Sequence, residues 1–512
     1  MKYVYCIAAA LVMSCAFCQA QDKKPPNFVI LFIDDMGWRD WSGNGSDYIK
    51  TPAIDAIAKE GLVFQQGYVN AANCAPSRCA ILSGQYPQRN DFYNVFTIHR
   101  GIKHVDRLSL KDIQDGQTLR SNKLTFAEAL KKQGYTTAMY GKWHVSGKEK
   151  VMPDRQGFDE VDEHHAKELR KLFKKTKDPK QVYSYTNQAM AFAEKASKEG
   201  KPFLIYLAHH AVHLGYSYTD ESYNLFKGKA AGINHDSPKY AAMLHDTDKS
   251  IGMFMQKLKD LKIDDNTVVI LLSDNGGVPS HCKQPPLRAF KGSYYEGGIR
   301  VPFMVRWPNT IKPGKSHTPV MAIDLYPTML DLAGVEDITS HVGKHTLDGT
   351  SIAPLLKGHK IEDRSMFWYF PAYLSGNPRY TGTRTKEYRQ QPCSVIRKGD
   401  WKLHLFFEEW SLDGGQVKID TNNSVELYNL KEDIGETNNL AAAKKDVRDA
   451  LLKELLDWHK RTGAKIPKES NPLRGKLKKK CEEVGIKCHL EVGGNEQPKI
   501  NNSEFLKRVF AK

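Results

Sequence analysis

Four short runs of unbroken apolar residues, each stopped by polar residues that carry chemistry, constrain this chain more than any other feature. The first, Asn27 to Ile33, reads NFVILFI and stops at Asp34 and Asp35. Tyr135 to Tyr140 stops at Gly141, Lys142, Trp143 and His144, and Phe203 to Ala208 stops at His209, His210 and His213. Thr267 to Leu272 stops at Ser273, Asp274, Asn275 and Gly276. A strand with one wet face alternates apolar and polar side chains. An unbroken run of strand length is covered on both faces, which is the habit of a parallel sheet between layers of helices. Helical periodicity over Thr125 to Gln133 and Tyr240 to Leu261 supplies such layers. The predicted fold is therefore α/β, a mostly parallel sheet sandwiched by helices. Ligands of such sheets bind beyond the carboxyl ends of the strands, so four ends bring their polar residues to one rim.

Taken singly, each strand end also reads as a turn, a helix cap or a solvated loop. Unrelated turns, however, have no reason to supply carboxylates, an amide, a lysine and histidines at successive strand ends. Asp34, Asp35, Asp274 and Asn275 offer oxygen ligands only, which suits a hard cation such as calcium or magnesium rather than zinc or copper. No two short Cys or His pairs stand near each other at zinc-ligand spacing.

The second informative stretch is NCAPSRCAILSG, residues 73 to 84. Pro76 suits the first turn of a helix, which places Cys74 where a loop becomes a helix and free amide donors gather. Anions are stabilised there. A cysteine in that position beside the Arg78 guanidinium is an activated group, whereas a lone cysteine packed in a helix is the blander reading.

The run CAPSR with its downstream LSG resembles the signature of the formylglycine-dependent type I sulfatases, the arylsulfatase-like branch of the alkaline phosphatase superfamily. GYTTAMYGKWH at residues 134 to 144 resembles that family's second signature, and LSDNGG, LRAFKGSYYEGGIRVPFMVRWP and DLYPTMLDLAG resemble further blocks. The likeness covers residues 27 to about 460. It implies an alkaline-phosphatase-like fold with a smaller C-terminal α+β domain carrying an antiparallel sheet. It also implies that Cys74 is oxidised to formylglycine (3-oxoalanine) by a maturation enzyme, and that its hydrate attacks the sulfur of a sulfate ester. By the same resemblance Arg78, Lys142 and Lys291 supply fixed positive charge, His213 protonates the leaving alcohol, and His144 takes a proton from the second hydroxyl as sulfate departs. Asp34, Asp35, Cys74, Asp274 and Asn275 would hold one calcium ion, magnesium being the weaker choice. His209 and His210 stay open, one as a packed histidine and the other as a substrate contact.

Residues 1 to 20 carry Lys2, an apolar run from Tyr3 to Phe17 broken by Ser14, and the small-residue end Cys18, Gln19, Ala20. That is a cleavable signal peptide, cut after Ala20, and it predicts a secreted or periplasmic protein without stable membrane insertion. Met13 and Phe17 are poor neighbours for a lipid anchor on Cys15 or Cys18. The remaining length suits a large α/β domain over 21–370, a smaller one over 371–467 and a basic extension over 468–512. Of the six mature cysteines, Cys74, Cys79, Cys282, Cys393, Cys481 and Cys488, five remain once Cys74 is set aside for chemistry, too odd and sparse a set for a disulfide framework. A Cys481 to Cys488 pairing stays open. The formal charge of +16 includes Lys2, the one charged residue of the signal segment, so the mature chain carries +15. That balance favours anionic partners, and in an exported protein a sulfated or carboxylated glycan is a better one than nucleic acid.

After Pro371 the loop SGNPRYTGTRTKEYRQQP precedes the strand-like SVIRKGDWKLHLFF and VELYNL, and Asp446 to His459 is helical with Val447, Leu451, Leu455 and Trp458 on one stripe. Arg379, Arg384 and Arg389 are candidates for an anionic glycan, with a solvated loop as the plainer reading. Lys476 and Lys478 to Lys480 form a basic cluster in the tail. The reading that best joins these features is a sulfuric ester hydrolase releasing sulfate from a sulfated carbohydrate. The alternatives are a phosphonate monoester or phosphodiester hydrolase of the same superfamily, and an inactive sulfated-glycan-binding relative.

Overall fold

Asn27–Ile33 (β1) forms the middle of an eight-stranded sheet, and its unbroken apolar run is accounted for on both faces. Phe28, Ile30 and Phe32 point into one core, while Val29, Leu31 and Ile33 point into another. Each side chain so buried contributes on the order of 2 kcal/mol of transfer free energy, so slipping the register of this strand by one residue would exchange two filled cores at once. The computed structural model describes residues 24–98, 106–147, 149–163, 177–376 and 379–483. The signal segment and Cys488 lie outside them.

The other strands of this sheet are Leu62–Phe64 (β2), Thr136–Gly141 (β3), Glu160–Asp162 (β4), Phe203–His209 (β5), Thr267–Ser273 (β6), Phe303–Arg306 (β7) and Gly314–Ser316 (β8). Their order is β4-β3-β5-β1-β6-β7-β2-β8. The first five are parallel, and β7 alone runs against its two neighbours. The expected mostly parallel sheet is thus present, and its four long strands are the four apolar runs. The short β2, β7 and β8 carried no comparable signal. Helices Pro52–Glu60, Val182–Lys198 and Pro238–Asp260 cover one face, and Cys74–Ser83, Phe126–Lys131 and Leu325–Leu332 cover the other.

A separate antiparallel sheet follows, made of Met366–Phe370 (β9), Cys393–Lys398 (β10), Trp401–Phe406 (β11) and Val425–Asn429 (β12). It begins five residues ahead of the composition change at Pro371. The helix Lys445–Thr462 packs on it through Leu451, Leu452, Leu455 and Trp458. Phe367, Val395, Leu403 and Leu427 join the core that also holds Phe28 and Phe32, so hydrophobic packing runs from one sheet to the other. Cys74, Cys79, Cys282 and Cys393 are free and buried. Among the described residues no helix is long and apolar enough to cross a membrane.

Candidate active site

The carboxyl ends of β3, β5, β1 and β6 meet at one rim, tied together by backbone hydrogen bonds. The Asp34 amide donates to the Ala211 carbonyl (2.9 Å), Val212 N–H to Asp34 O (2.7 Å), Asp274 N–H to Ile33 O (3.2 Å) and Lys142 N–H to Ala208 O (2.7 Å). From outside these strands the helix Cys74–Ser83 brings its first residue to the same rim. It is buried along its whole length and ends on Gly84 in the left-handed conformation, whose amide bonds Ala80 O. The loop carrying Lys291 is held by two further bonds, Lys291 N–H to Gly277 O (3.0 Å) and Gly292 N–H to Ala72 O (2.8 Å). Side chains distant in sequence are placed by rigid backbone.

Cys74 Sγ lies 3.4 Å from Asp34 Oδ1, 3.7 Å from Asp35 Oδ1 and 3.0 Å from Lys291 Nζ. Ligand atoms of Asp34, Asp35, Cys74 and Asp274 all fall within 4.8 Å of one another. Three buried ion pairs surround them: Lys142 Nζ to Asp34 Oδ2 at 2.5 Å, Lys291 Nζ to Asp35 Oδ1 at 2.5 Å, and Arg78 to Asp274 Oδ2 through Nε (3.0 Å) and Nη2 (2.8 Å). Arg78 Nη1 also donates to the Lys142 carbonyl at 2.8 Å, and the guanidinium lies over the Phe32 ring. Fixed on both sides, Arg78 is a strut between the helix and two strand ends.

Burial would raise the pKa of Asp34, but Lys142, His213, Arg78 and Lys291 together hold it well below the usual carboxylate range. For Asp35, burial and the neighbouring Asp34 charge would raise the pKa, but Lys291, His213 and Lys142 outweigh them and lower it. For Asp274, burial and the charge of Asp34 outweigh Arg78 and push it up to about 6. Burial likewise pushes the Cys74 thiol well up, with Asp274 adding to it. A thiolate is therefore not what this environment favours, in contrast to the activated cysteine that helix position and Arg78 alone suggest. Asp35 and His144 both have positive φ, 65° and 64°, a costly conformation for residues with a Cβ.

The donor set fits a cation. Asn275 donates through Nδ2 to Asp35 Oδ1 (2.8 Å), while its Oδ1 is buried without a hydrogen-bond partner among the described residues, an acceptor left for something positive. Three carboxylates against three paired cations make the cluster neutral. A hard divalent ion held by Asp34, Asp35, Asp274 and Asn275 would turn it net positive.

His213 sits at the mouth, with its side chain 45% exposed and Nε2 3.8 Å from Asp35 Oδ2. His144 is more enclosed, and burial with Lys142 and Arg78 lowers its pKa well below the ordinary histidine value. His209 is fully buried with neither ring nitrogen partnered among the described residues, the packed member of the pair. His210 lies in the field of Lys142, Asp34, Arg78 and Lys180. Lys180 is a residue that the sequence does not flag. It is buried, donates to the His213 carbonyl and has its pKa lowered by burial to about 7, yet no motif surrounds it. Gln390 is another, its Oε1 accepting from Tyr294 N–H at 2.9 Å just beyond Lys291.

A family model described as Sulfatase matches residues 26–335, and one described as N-sulphoglucosamine sulphohydrolase, C-terminal, matches residues 290–461. The chain is 30% identical to an N-acetylgalactosamine-6-sulfatase of Rattus norvegicus, covering 86% of this chain and 86% of that one. It is 29% identical to a protein of Formosa agariphila named sulfatase, covering 94% and 97%. Among solved structures, Ps i-CgsB in complex with k-i-k-neocarrahexaose superposes with a TM-score of 0.66 at 26% identity, covering 85% of this chain and 92% of that one.

Proposed function

The chain belongs to the sulfatase family and is a sulfatase, and from that premise we propose that it releases sulfate from a sulfated carbohydrate, using Cys74 matured to formylglycine and one calcium ion. The observation that carries the reading is the meeting of Cys74 Sγ with Lys291 Nζ, Asp34 and Asp35 at the carboxyl ends of the central strands. The sugar enters from the N-acetylgalactosamine-6-sulfatase relative, from the N-sulphoglucosamine sulphohydrolase family model, and from the positive charge of the chain.

Formylglycine, once hydrated, supplies an oxygen nucleophile and a route for expelling sulfate, and the divalent ion supplies polarisation of a sulfate oxygen. What the chain itself contributes is position and charge. Asp34, Asp35, Asp274 and Asn275 would hold the cation. Lys142 and Lys291, each anchored on a carboxylate, present fixed ammonium groups to the peripheral and bridging oxygens, where negative charge grows. Arg78 orients the start of its helix and the Lys142 backbone. His213, open to the mouth, is placed to protonate the alcohol oxygen that leaves towards solvent. His144, enclosed beside Lys142, is placed to accept the proton released within the site. Export through the signal segment and modification by a maturation enzyme belong to the same reading.

A screen of defined sulfated mono- and disaccharides, read by sulfate release, tests it alongside aryl sulfate and aryl phosphonate. The expected result is sulfate release with Cys74→Ala down by at least about 10³-fold, and a peptide mass at Cys74 that reports an aldehyde. Chelation should abolish turnover and calcium restore it better than magnesium. A preference for phosphonate, or full activity in Cys74→Ala, would overturn the reading.

A further inference from the structure

Arg384, in the loop between Leu374–Ser375 and Tyr388–Gln390, and Arg389, on the second of those strands, do not share one fate. Arg384 is consumed internally. Its Nη2 donates to the Asn423 carbonyl (2.6 Å) and faces Glu409 Oε1 at 3.2 Å, and its guanidinium lies 3.7 Å over the Phe406 ring. Arg389 is held differently. Its Nε donates to the Ser375 carbonyl (3.0 Å) and its guanidinium stacks 4.4 Å from the Tyr380 ring centroid. Among the described residues neither Nη of Arg389 has a hydrogen-bond acceptor or a carboxylate partner, and the side chain is only half-buried.

Arg389 also lies against the segment that carries Lys291. Its Nη1 is 3.7 Å from where a Cβ on Gly292 would stand, and Gly292 directly follows Lys291, whose Nζ is 3.0 Å from Cys74 Sγ. The loop is clamped along that segment at both ends. Arg288 Nε donates to Gly382 O (2.6 Å) at one end, and Gln390 Oε1 accepts from Tyr294 N–H (2.9 Å) at the other. A planar guanidinium with its inner edge tied down, its face covered by an aromatic ring and its outer donors unspent is pre-organised for a bidentate oxyanion.

We infer that Arg389 is a specificity-determining residue that binds a second anionic substituent of the substrate, a carboxylate or a further sulfate on the sugar beside the scissile ester. The inference rests on the sulfated-carbohydrate reading and narrows it to polyanionic glycans. The loop of the smaller sheet thereby reads the charge of the sugar, while Lys291, one residue from Gly292, serves the ester.

The test compares the best neutral monosulfated sugar from the screen with its disulfated counterpart and with a monosulfated disaccharide carrying a uronate. Wild-type enzyme is expected to favour at least one of the two anionic substrates. In Arg389→Gln the kcat/KM ratio of that substrate to the neutral sugar should fall tenfold or more, chiefly through KM, with Arg389→Lys in between. A fall confined to the disulfated sugar assigns a sulfate, and one confined to the uronate assigns a carboxylate. Parallel losses on all three substrates, an unchanged ratio, or a wild type indifferent to the extra charge overturns the inference while sulfate release from sugars stands. Activity on aryl sulfate with none on any sulfated sugar overturns the carbohydrate reading and this inference with it.

Discussion

Gly292 is the residue at which backbone conformation, packing and the site meet most tightly. Its φ is +91°, and a Cβ there would stand 2.5 Å from Leu374 Cδ2. A side chain must therefore adopt a disfavoured left-handed backbone and also displace the tip of the Leu374 side chain. Because the Gly292 amide is bonded to Ala72 O, relaxation would drag the preceding Lys291 off Asp35. Gly292→Ala should lower kcat/KM by about 10²-fold, the cost of misplacing a charge by roughly 1 Å, with the fold retained. Steady-state kinetics beside a melting curve decides it, and wild-type kinetics would show that the loop yields freely. At this scale Asp34, Asp35, Asp274 and Asn275 were legible because each abuts an apolar run. Lys180 and Gln390 were not, since they sit in the short helical turn Pro179–Gln181 and the short strand Tyr388–Gln390, whose positions depend on what they pack against.

The helix Lys445–Thr462 shows the same division for an element. Its apolar stripe is readable as helical period and packs on the antiparallel sheet, but a second tie to that sheet is a polar contact. His459 Nδ1 lies 3.0 Å from the Ala464 carbonyl and so carries the proton, leaving Nε2 to accept from the Ser394 hydroxyl at 2.7 Å. Burial lowers the pKa of this histidine to about 4, against about 6.5 in an unfolded chain. The unfolded state therefore binds more protons between those values, so stability is full above pH 6.5 and is lost as pH falls towards 4, by up to about 3 kcal/mol. Melting temperatures from pH 4 to 8 should fall more steeply on the acid side for the wild type than for His459→Gln. Parallel curves would remove His459 from the acid response. The strand Met366–Phe370 was harder to read. Its run of apolar residues precedes the composition change at Pro371, and only its pairing with Cys393–Lys398 assigns it to the smaller sheet.

Across the whole molecule the two sheets are joined by buried charge as well as by packing. Lys402, on the smaller sheet, sits 2.9 Å from both Glu296 Oε1 and Glu436 Oε1, all three fully buried. Glu296 also accepts from Tyr68 OH (2.8 Å) and faces Arg300 (3.2 Å), and His404 lies 3.1 Å from Glu436. Removing the central cation strands two carboxylates away from water. Lys402→Met should destabilise the protein by about 3–5 kcal/mol. Because the hydrophobic core is continuous from sheet to sheet, the loss should appear as one transition moved down rather than as a separate early one. Calorimetry distinguishes the two, and a split transition would mean that the sheets melt independently.

What the sequence by itself determined is whatever local pattern encodes. Unbroken apolar runs of strand length read as strands covered on both faces, and four of them in parallel bring the polar residues that end them to one rim of the sheet. The run CAPSR likewise carries its helix start and its arginine in five consecutive positions. Tertiary structure alone decided the rest. The pairing of Lys142 with Asp34 and of Lys291 with Asp35 joins residues more than a hundred positions apart, and no local pattern specifies which carboxylate meets which amine. The same holds for Arg384 and Arg389. One is spent on internal carboxylates and another is set beside Gly292 with donors to spare, because the packing of the smaller sheet against the larger fixes how far each side chain can reach.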